Sequence, residues 1–291
     1  MVNNGLVTNK TIIYHSPCFD GFCAAWLCHG FWPDATYISR QYGQPVPDDE
    51  YIDGKDVLIV DFSYTRDIIT DIHRRANSLQ VIDHHKTAAN ELVGLPYCLF
   101  DMSKSGARLT WEYLSNLGYY PPTGTGGMHW LVAYVEDNDL WLHELPDSIE
   151  INAAIQSYPF DFDVWDRISA RSPDDLLIEG TAIQRYKDMI IRQHAAFART
   201  VTIEGYNAIL VQCTVGNTIS SGLADYLLKQ YPDSDLAIVV TDTFDGMIYR
   251  LRSDKIDVSK IAMTYGGGGH AEAAAFKCPD FYRSSKRLEI K

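Results

Sequence analysis

The chain has 291 residues with 38 acidic and 25 basic side chains, which gives a formal net charge of −13. Hydrophobic residues make up 46% and charged residues 22%, a composition that excludes disordered and fibrous proteins and suffices for one large or two ordinary domains. The negative charge argues against non-specific binding to long duplex nucleic acids, because such binding depends on Lys and Arg neutralising phosphates. The negative charge does not exclude the binding of a small anionic ligand at a local site.

The N-terminal segment and the cysteines indicate a cytoplasmic protein. Residues 1–10 are polar, without the basic start and apolar core of a signal peptide, and the longest apolar stretch, 22–32, is too short to cross a membrane. The six cysteines form no C-x-x-C pair, so we expect reduced thiols. We therefore predict a cytoplasmic protein that makes no use of a membrane.

Strands and helices alternate through the first half of the chain. The predicted strands are residues 11–15, 35–42, 56–60, 79–82 and 97–100. The predicted helices are residues 20–30, 65–76 and 105–117. This alternation is typical of an α/β domain with a mainly parallel sheet.

The second half contains helical segments and then a second set of strands. Helices are predicted at 128–136, 162–170, 173–199, 220–230 and 258–264, and strands at 207–213, 236–242 and 247–253. We therefore predict an α/β protein in which helices join a parallel-sheet domain (1–145) to a smaller α/β C-terminal domain (201–291). The helical linker would span 146–200, with a cleft between the two domains.

Ionisable side chains follow three predicted strands at the points where they end. These residues are His15, Cys18, Asp20, Asp61, Asp83, His84 and His85. Because the carboxyl ends of parallel strands meet at one edge of a sheet, we expect these side chains to lie close together. Packed carboxylates would raise one another's pKa unless a cation neutralised them, and carboxylates with imidazoles suit Mn²⁺, Mg²⁺, Zn²⁺ or Fe²⁺. The pattern therefore predicts a divalent metal site.

Five segments in this order resemble a known family. H-S-P-C-F-D-G at 15–21, V-D at 60–61, D-H-H at 83–85 and E-D-N-D at 136–139 are similar to the four motifs of the DHH phosphoesterase superfamily. The glycine run 266–269, followed by His270, resembles the signature of the DHH-associated C-terminal domain. The resemblance spans residues 12 to 278 and implies a phosphodiesterase similar to oligoribonucleases, with two divalent ions.

The resemblance also implies roles for individual residues. The implied metal ligands are His15, Cys18, Asp20, Asp61, His84, Asp137 and Asp139. Asp61 and either Asp137 or Asp139 would bridge the two ions, which are expected to be Mn²⁺, with Mg²⁺, Co²⁺, Zn²⁺ and Fe²⁺ as alternatives. Of the two residues expected in catalysis, His85 would contact phosphate or act as a general acid. Asp83 would orient the neighbouring histidines.

Cys18 departs from the family pattern, which has an aspartate at this position. A thiolate is a softer ligand than a carboxylate and would favour Zn²⁺, Fe²⁺ or Mn²⁺. Alternatively, Cys18 is a buried cysteine that only contributes to packing, and the metal ion at this position has a weakened set of ligands.

A second set of residues is expected to bind the substrate. It comprises Gly267, Gly268, Gly269, His270, Arg108, Arg250 and Arg252. The glycines would expose backbone N–H groups to a phosphate, with the imidazole as a further donor, although a flexible turn would show the same sequence. Each arginine either clamps a phosphate or is a solvated surface residue.

These features predict an enzyme that hydrolyses short nucleotide phosphodiesters in a reaction that depends on two metal ions. The candidate substrates are oligoribonucleotides, linear or cyclic dinucleotides, and nucleotide bisphosphates. The alternatives are a pyrophosphatase or exopolyphosphatase, and a nucleotide-binding regulatory module whose metal site is impaired. The expected partner is a small phosphate substrate, and the oligomeric state stays open.

Overall fold

The computed structural model describes residues 9–118, 128–243, 246–278 and 288–290. The polar residues 1–8, on which the prediction about a signal peptide partly depends, lie outside the described residues. The chain divides into two units, Met1–Ala182 and Ile183–Lys291. None of the helices in the described residues is both long enough and apolar enough to span a membrane.

The first unit begins with alternating strands and helices. In chain order these are β1 (Lys10–His15), α1 (Phe19–Phe31), β2 (Thr36–Arg40), β3 (Asp56–Val60), α2 (Arg66–Arg75), β4 (Ser78–Asp83), α3 (Lys86–Glu91), β5 (Cys98–Phe100) and α4 (Gly106–Asn116). The strands form one parallel sheet in the order β2-β1-β3-β4-β5. The predicted α/β fold with a parallel first sheet is confirmed.

The central strands of this sheet are apolar because both faces are covered. Along β3, Leu58 packs with α1 and α4, whereas its neighbours Val57 and Ile59 pack on the opposite face with α2. Successive side chains of a strand point to opposite faces, so a sheet buried on both sides requires an uninterrupted apolar run. The charged and histidine residues of β1, β3 and β4 lie at the ends of these strands.

Four further helices follow in the chain: α5 (Trp130–Asp139), α6 (Ser148–Ile155), α7 (Phe162–Ser169) and α8 (Pro173–Ala195). Residues from α6, α7 and the start of α8 belong to the same buried cluster as β1 and α1; they include Ile151, Ile155, Trp165 and Leu176. The first unit therefore extends beyond the boundary predicted at residue 145, and much of the predicted linker 146–200 is part of its core. The apolar faces of α6, α7 and the start of α8 are buried in this core, whereas those of a simple linker would be exposed.

The second unit is built on a mixed sheet. Its elements after α8 are β6 (Arg199–Ile203), β7 (Tyr206–Cys213), α9 (Asn217–Gln230), β8 (Leu236–Thr243), β9 (Gly246–Arg252), α10 (Val258–Thr264), β10 (Gly268–Gly269), β11 (Ala273–Cys278) and β12 (Leu288–Ile290). The strand order is β10-β11-β9-β8-β7-β6-β12, with β7 and β8 parallel and the other pairs antiparallel. One face packs with α9 and the other with α10.

Candidate metal centre

The polar residues of the first unit meet at the carboxyl edge of its sheet. Tyr14 pairs with Val60, and Val60 pairs with Ile82, so the ends of β1, β3 and β4 lie in one row. His15 is the last residue of β1, and Asp61 directly follows β3. The register of the parallel sheet therefore brings together residues that are distant in sequence, as the strand pattern predicts.

Asp61 lies at the centre of this cluster and is 0% exposed. Its backbone adopts a left-handed conformation, with φ of 53°, which is uncommon for a residue other than glycine. One carboxylate oxygen lies 3.4 Å from His15 Nδ1, and the other lies 3.1 Å from His84 Nε2. Among the described residues, neither oxygen has a partner in hydrogen-bond geometry. A buried carboxylate without hydrogen bonds is costly, and a cation coordinated by both oxygens would remove that cost.

Two groups of potential ligands meet around Asp61. The side-chain donor atoms of His15, Cys18 and Asp61 lie within 4.8 Å of one another, and so do those of Asp20, His84 and Asp139. His84 Nε2 lies 3.7 Å from an oxygen of Asp20 and 3.5 Å from an oxygen of Asp139. The donor set of carboxylates, imidazoles and one thiol fits divalent transition metals.

Burial and like charges raise the pKa values of several acidic groups in the cluster. Burial, followed by the charges of Asp61 and Asp139, raises the pKa of Asp20 well above its usual value. Burial likewise raises the pKa of Asp139. The pKa of the Cys18 thiol is raised well above its usual range by burial and then by the neighbouring carboxylates. A bound cation would reverse each of these shifts by favouring the ionised form.

Asp20 is anchored by the start of α4. One of its oxygens accepts a hydrogen bond from Gly106 N at 2.6 Å and the other from Ala107 N at 3.0 Å. The Ser105 side chain caps this helix by accepting from Arg108 N at 3.1 Å. The free N–H groups at a helix start favour a carboxylate, so the fold fixes the direction of Asp20 before any metal is bound.

Glycines make room for the carboxylates. A Cβ added at Gly106 would lie 2.6 Å from Asp61 Cβ and 2.9 Å from an oxygen of Asp20, and one at Gly21 would lie 2.8 Å from His15 Cβ. Gly106 was not among the predicted site residues. The signal that points to it is the pair of Ser105 and Gly106 at the start of the predicted helix that follows the strand 97–100.

Asp137 and Asp139 occupy different environments, although both are on α5. Asp137 is buried and accepts hydrogen bonds from Glu144 N at 2.9 Å and from the Ser148 hydroxyl. Asp139 contributes to the group with His84 and Asp20. The helix was predicted to end at residue 136 but continues through Asp139, which carries this side chain to the cluster.

His85 and Asp83 form a pair beside the ligand groups. His85 Nδ1 lies 2.7 Å from Asp83 Oδ1, and the other Asp83 oxygen accepts a hydrogen bond from Ser63 Oγ at 2.5 Å. Asp83 Oδ1 also accepts from the backbone N–H of His84 at 2.7 Å. Burial lowers the pKa of His85, but the Asp83 charge outweighs it, so the net shift is upward.

Arg108 lies close to the cluster in sequence but is engaged by acidic side chains. Its Nε donates to Glu112 at 2.8 Å, and its Nη1 lies 3.7 Å from Glu136. The guanidinium also stands over the Trp111 ring, 5.5 Å from the centroid. These contacts hold Arg108 along α4, and the phosphate clamp predicted for it stays a prediction.

The glycine run has a structural role within the second unit. The N–H of Gly267 donates to Ala262 O at 2.9 Å, and that of His270 donates to Ala273 O at 2.8 Å. Gly268 and Gly269 pair with β11. The exposed N–H groups that we expected of an anion-binding nest are therefore occupied at positions 267 and 270, because the run forms a tight turn and a short strand.

The two remaining arginine candidates share one face of β9, as predicted. They pack on the side of the sheet that carries α9, where Arg250 Nη1 donates to Thr241 Oγ1 at 2.7 Å. Burial lowers the pKa of both Arg250 and Arg252. A partly buried pair of cations fits either a phosphate contact or a role within the sheet face.

Comparisons with known proteins agree with these observations. The family model of the DHHA1 domain matches residues 205–289. An uncharacterized protein of Acanthamoeba polyphaga mimivirus is 30% identical over 294 residues, which cover 90% of this chain and 66% of that protein. Oligoribonuclease NrnB of Bacillus subtilis is 27% identical over 221 residues, which cover 69% of this chain and 53% of that protein. The chain thus spans between about half and two thirds of the length of these curated relatives.

Among solved structures, the DHH domain of a member of a ribosomal protein family is similar in fold. Its TM-score is 0.62 at 14% identity, covering 96% of this chain and 84% of that chain. An identity this low shows the fold alone. The second unit therefore contains a DHHA1 domain at residues 205–289, and the first unit, which carries the four ordered motifs, has a fold similar to that of a DHH domain.

Proposed function

We propose that this protein is a metal-dependent phosphoesterase that hydrolyses the phosphodiester bonds of short nucleotides. The observation that carries the proposal is Asp61, a fully buried carboxylate whose two oxygens face His15 and His84 without hydrogen bonds among the described residues. The DHHA1 domain and the similarity to oligoribonuclease NrnB support the same chemistry.

The residues that would hold the metal fall into the two groups around Asp61. One group combines His15 and Cys18 with Asp61, and the other consists of Asp20, His84 and Asp139. Divalent ions bound by these residues, with Mn²⁺ as the first candidate, would neutralise the phosphate charge and activate water. The protein contributes the fixed direction of each ligand, since α4 anchors Asp20 and the sheet register places Asp61.

In this proposal, His85 donates a proton to the leaving oxygen. Its Nδ1 is held by Asp83, which directs the opposite ring nitrogen away from that carboxylate. The upward pKa shift keeps the imidazole protonated to a higher pH, which suits a general acid near neutrality. Asp83 acts as the positioning residue of this pair, because Ser63 and the His84 N–H hold its two oxygens.

The charge of the chain favours short substrates. A net charge of −13 repels a long polyanion, whereas one or two phosphates can be neutralised by the metal centre alone. Oligoribonucleotides of a few residues and dinucleotides fit this balance.

The test combines metal analysis with a substrate panel. We expect the wild-type protein to bind divalent ions and to release mononucleotides from RNA of two to five residues with Mn²⁺. Asp61→Asn should lose both properties. Asp101→Asn, on the loop after β5 at the same edge of the sheet, serves as the matched control and should keep both.

The same panel separates the alternatives. Turnover of pyrophosphate or polyphosphate in preference to dinucleotides would favour a pyrophosphatase or exopolyphosphatase. Nucleotide binding without metal or turnover would favour a regulatory module. Absence of turnover of every short nucleotide with Mn²⁺, Mg²⁺ and Co²⁺ would contradict the proposal.

A further inference from the structure

Tyr42 stands at the solvent side of the metal centre. Its ring centroid lies 5.6 Å from that of His15 and 5.6 Å from that of His85. The residue is nevertheless 51% exposed, on the loop after β2. A half-exposed aromatic ring that touches both a candidate metal ligand and the candidate general acid is therefore placed to contact whatever enters the site.

The Tyr42 ring is held in place by the core. It packs on Phe62, whose ring centroid is 5.1 Å away and which is 1% exposed. Phe62 directly follows Asp61 in the chain, so the position of Tyr42 is linked to that of the central carboxylate. Within the loop, Gln41 N donates to Gln44 Oε1 at 2.9 Å, and Gln44 N donates to Gln41 O at 3.1 Å, which closes the turn that carries Tyr42.

A polar cavity of about 340 Å³ is lined in part by the loop that carries Tyr42. Its lining consists of Ser16, Ser39, Arg40, Gln41, Gln44 and Pro45. Ser16 directly follows His15, and its N–H donates to Arg40 O at 3.0 Å, so the cavity begins one residue from the metal centre. The lining therefore includes the residue that follows His15 and two residues, Gln41 and Gln44, of the loop that carries Tyr42.

The chemistry of the cavity favours a neutral polar group over a second phosphate. Hydroxyl and amide side chains make up most of the lining and offer both donors and acceptors. Arg40, which is the cation of the lining, donates from Nε to Pro45 O at 3.0 Å and from Nη1 to Ser39 O at 2.9 Å. Its guanidinium is thus used to hold the loop, and the remaining hydroxyl and amide groups suit a ligand with neutral hydrogen-bonding groups.

We propose that Tyr42 and this cavity form a binding subsite for one nucleoside adjoining the scissile phosphodiester. The base stacks on Tyr42, because every base presents a π face to an aromatic ring. The amides and hydroxyls of the cavity contact the edge of the base and the ribose. This inference rests on the proposed function, since it assigns the substrate group that lies next to the metal centre.

The first experiment compares a dinucleotide with the same dinucleotide lacking one base, on either the 5′ or the 3′ side. For one of the two sides, the wild-type protein should show a KM about 5- to 150-fold lower for the substrate that keeps its base. Tyr42→Ala should remove this difference, and Tyr42→Phe should retain it. Tyr186→Ala, an exposed tyrosine on α8, is the control and should behave like the wild type.

A second variant tests the cavity itself. Ser39 is exposed on the outermost strand β2, so Ser39→Trp would fill the cavity without entering the core. We expect a raised KM for the full dinucleotide and an unchanged KM for the form without the base on that side. Thermal unfolding of each variant shows whether the fold is retained.

Equilibrium binding provides a readout that does not depend on turnover. The probe is a hydrolysis-resistant dinucleotide in which 2-aminopurine replaces one base, because stacking on an aromatic ring quenches its fluorescence. Quenching by the wild type and by Tyr42→Phe, but not by Tyr42→Ala, would support the subsite. Binding without quenching, quenching that persists in Tyr42→Ala, or no binding would overturn it. Turnover that is independent of Tyr42 would overturn the subsite alone, whereas absent turnover with quenched binding would contradict only the proposed hydrolysis.

Discussion

Glycines in the two units serve different neighbours. At the carboxyl edge of the first sheet, Gly106 leaves space for the side chains of Asp61 and Asp20. In the second unit, Gly267 leaves space for the main chain of β11, because an added Cβ would meet Ala275 O and lie 2.6 Å from Phe276 Cβ. The first glycine makes an ionisable cluster possible, and the second permits two segments of backbone to pair closely.

This difference shows how a glycine can be related to a site. A glycine whose missing Cβ faces two buried carboxylates is part of the architecture of a ligand centre. A glycine whose missing Cβ faces a carbonyl in a strand pair is explained by packing. The glycine run of the second unit therefore needs its own test before a phosphate contact is assigned to it.

The largest effect on metal affinity is expected for a substitution in the first unit, on helix α5. Asp139→Asn should lower metal affinity by more than the roughly 10- to 100-fold that loss of a merely orienting group produces. Asp137→Asn should leave metal affinity nearly unchanged but destabilise the fold by about 1–3 kcal/mol, because it weakens buried hydrogen bonds to Ser148 and Glu144. Metal titration and thermal unfolding measure the two properties. A loss of metal in Asp137→Asn with full binding in Asp139→Asn would reverse the assignment.

A pair of alanine substitutions tests whether the two glycines differ in their effect on metal binding. Gly106→Ala and Gly267→Ala should each destabilise the fold by about 1–3 kcal/mol, as overpacking does. Gly106→Ala should also weaken metal binding, because Asp61 and Asp20 must move. Gly267→Ala should keep the metal content of the wild type. Equal metal content in both variants would show that the carboxylates do not need the space at position 106.

Metal affinity should rise with pH. Burial and the neighbouring carboxylates raise the pKa of Asp20, and burial raises that of Asp139. A raised pKa means that protons stay bound to higher pH and compete with the metal, so affinity falls as pH falls through these values by about tenfold per unit for each proton released. Calorimetric titration with Mn²⁺ in buffers of different ionisation enthalpy counts the protons. Binding that releases no protons would contradict this picture.

The smallest effect is a change of metal preference at Cys18. With Co²⁺, the wild type should show a near-ultraviolet charge-transfer band between thiolate and metal, which Cys18→Asp should lose. The variant should bind Mn²⁺ and Mg²⁺ better relative to Zn²⁺, since a carboxylate is a harder ligand. Cys23→Ala, a buried cysteine on the helix that begins after Cys18, is the control. An unchanged spectrum in Cys18→Asp would exclude the thiolate as a ligand.

The features predicted from sequence are those that depend on local pattern and sheet topology. The strand 56–60 and the helix 258–264 were predicted with the observed bounds, because apolar periodicity ends sharply at both. The convergence of polar strand ends at Asp61 also follows from the geometry of a parallel sheet.

Other features depend on which surfaces meet, and the sequence does not show this directly. The choice of Asp139 over Asp137 arises because α5 continues one turn beyond its predicted end. Helices α6 and α7 were assigned to a linker because an amphipathic helix shows an apolar face without showing what covers it. The sequence pattern does not point to Gly106 or Tyr42 for a similar reason, since each lies next to the cluster only after the chain has folded.

The hydrogen bond from Gly106 N to Asp20 joins residues that are 86 positions apart in the chain. During synthesis from the N-terminus, the motif that carries His15 and Asp20 emerges well before the helix start that anchors it. Closing so long a loop is entropically unfavourable until β3, β4 and β5 have paired in between. The metal centre should therefore be completed late, so that its acquisition of metal marks a finished N-terminal fold and does not nucleate it.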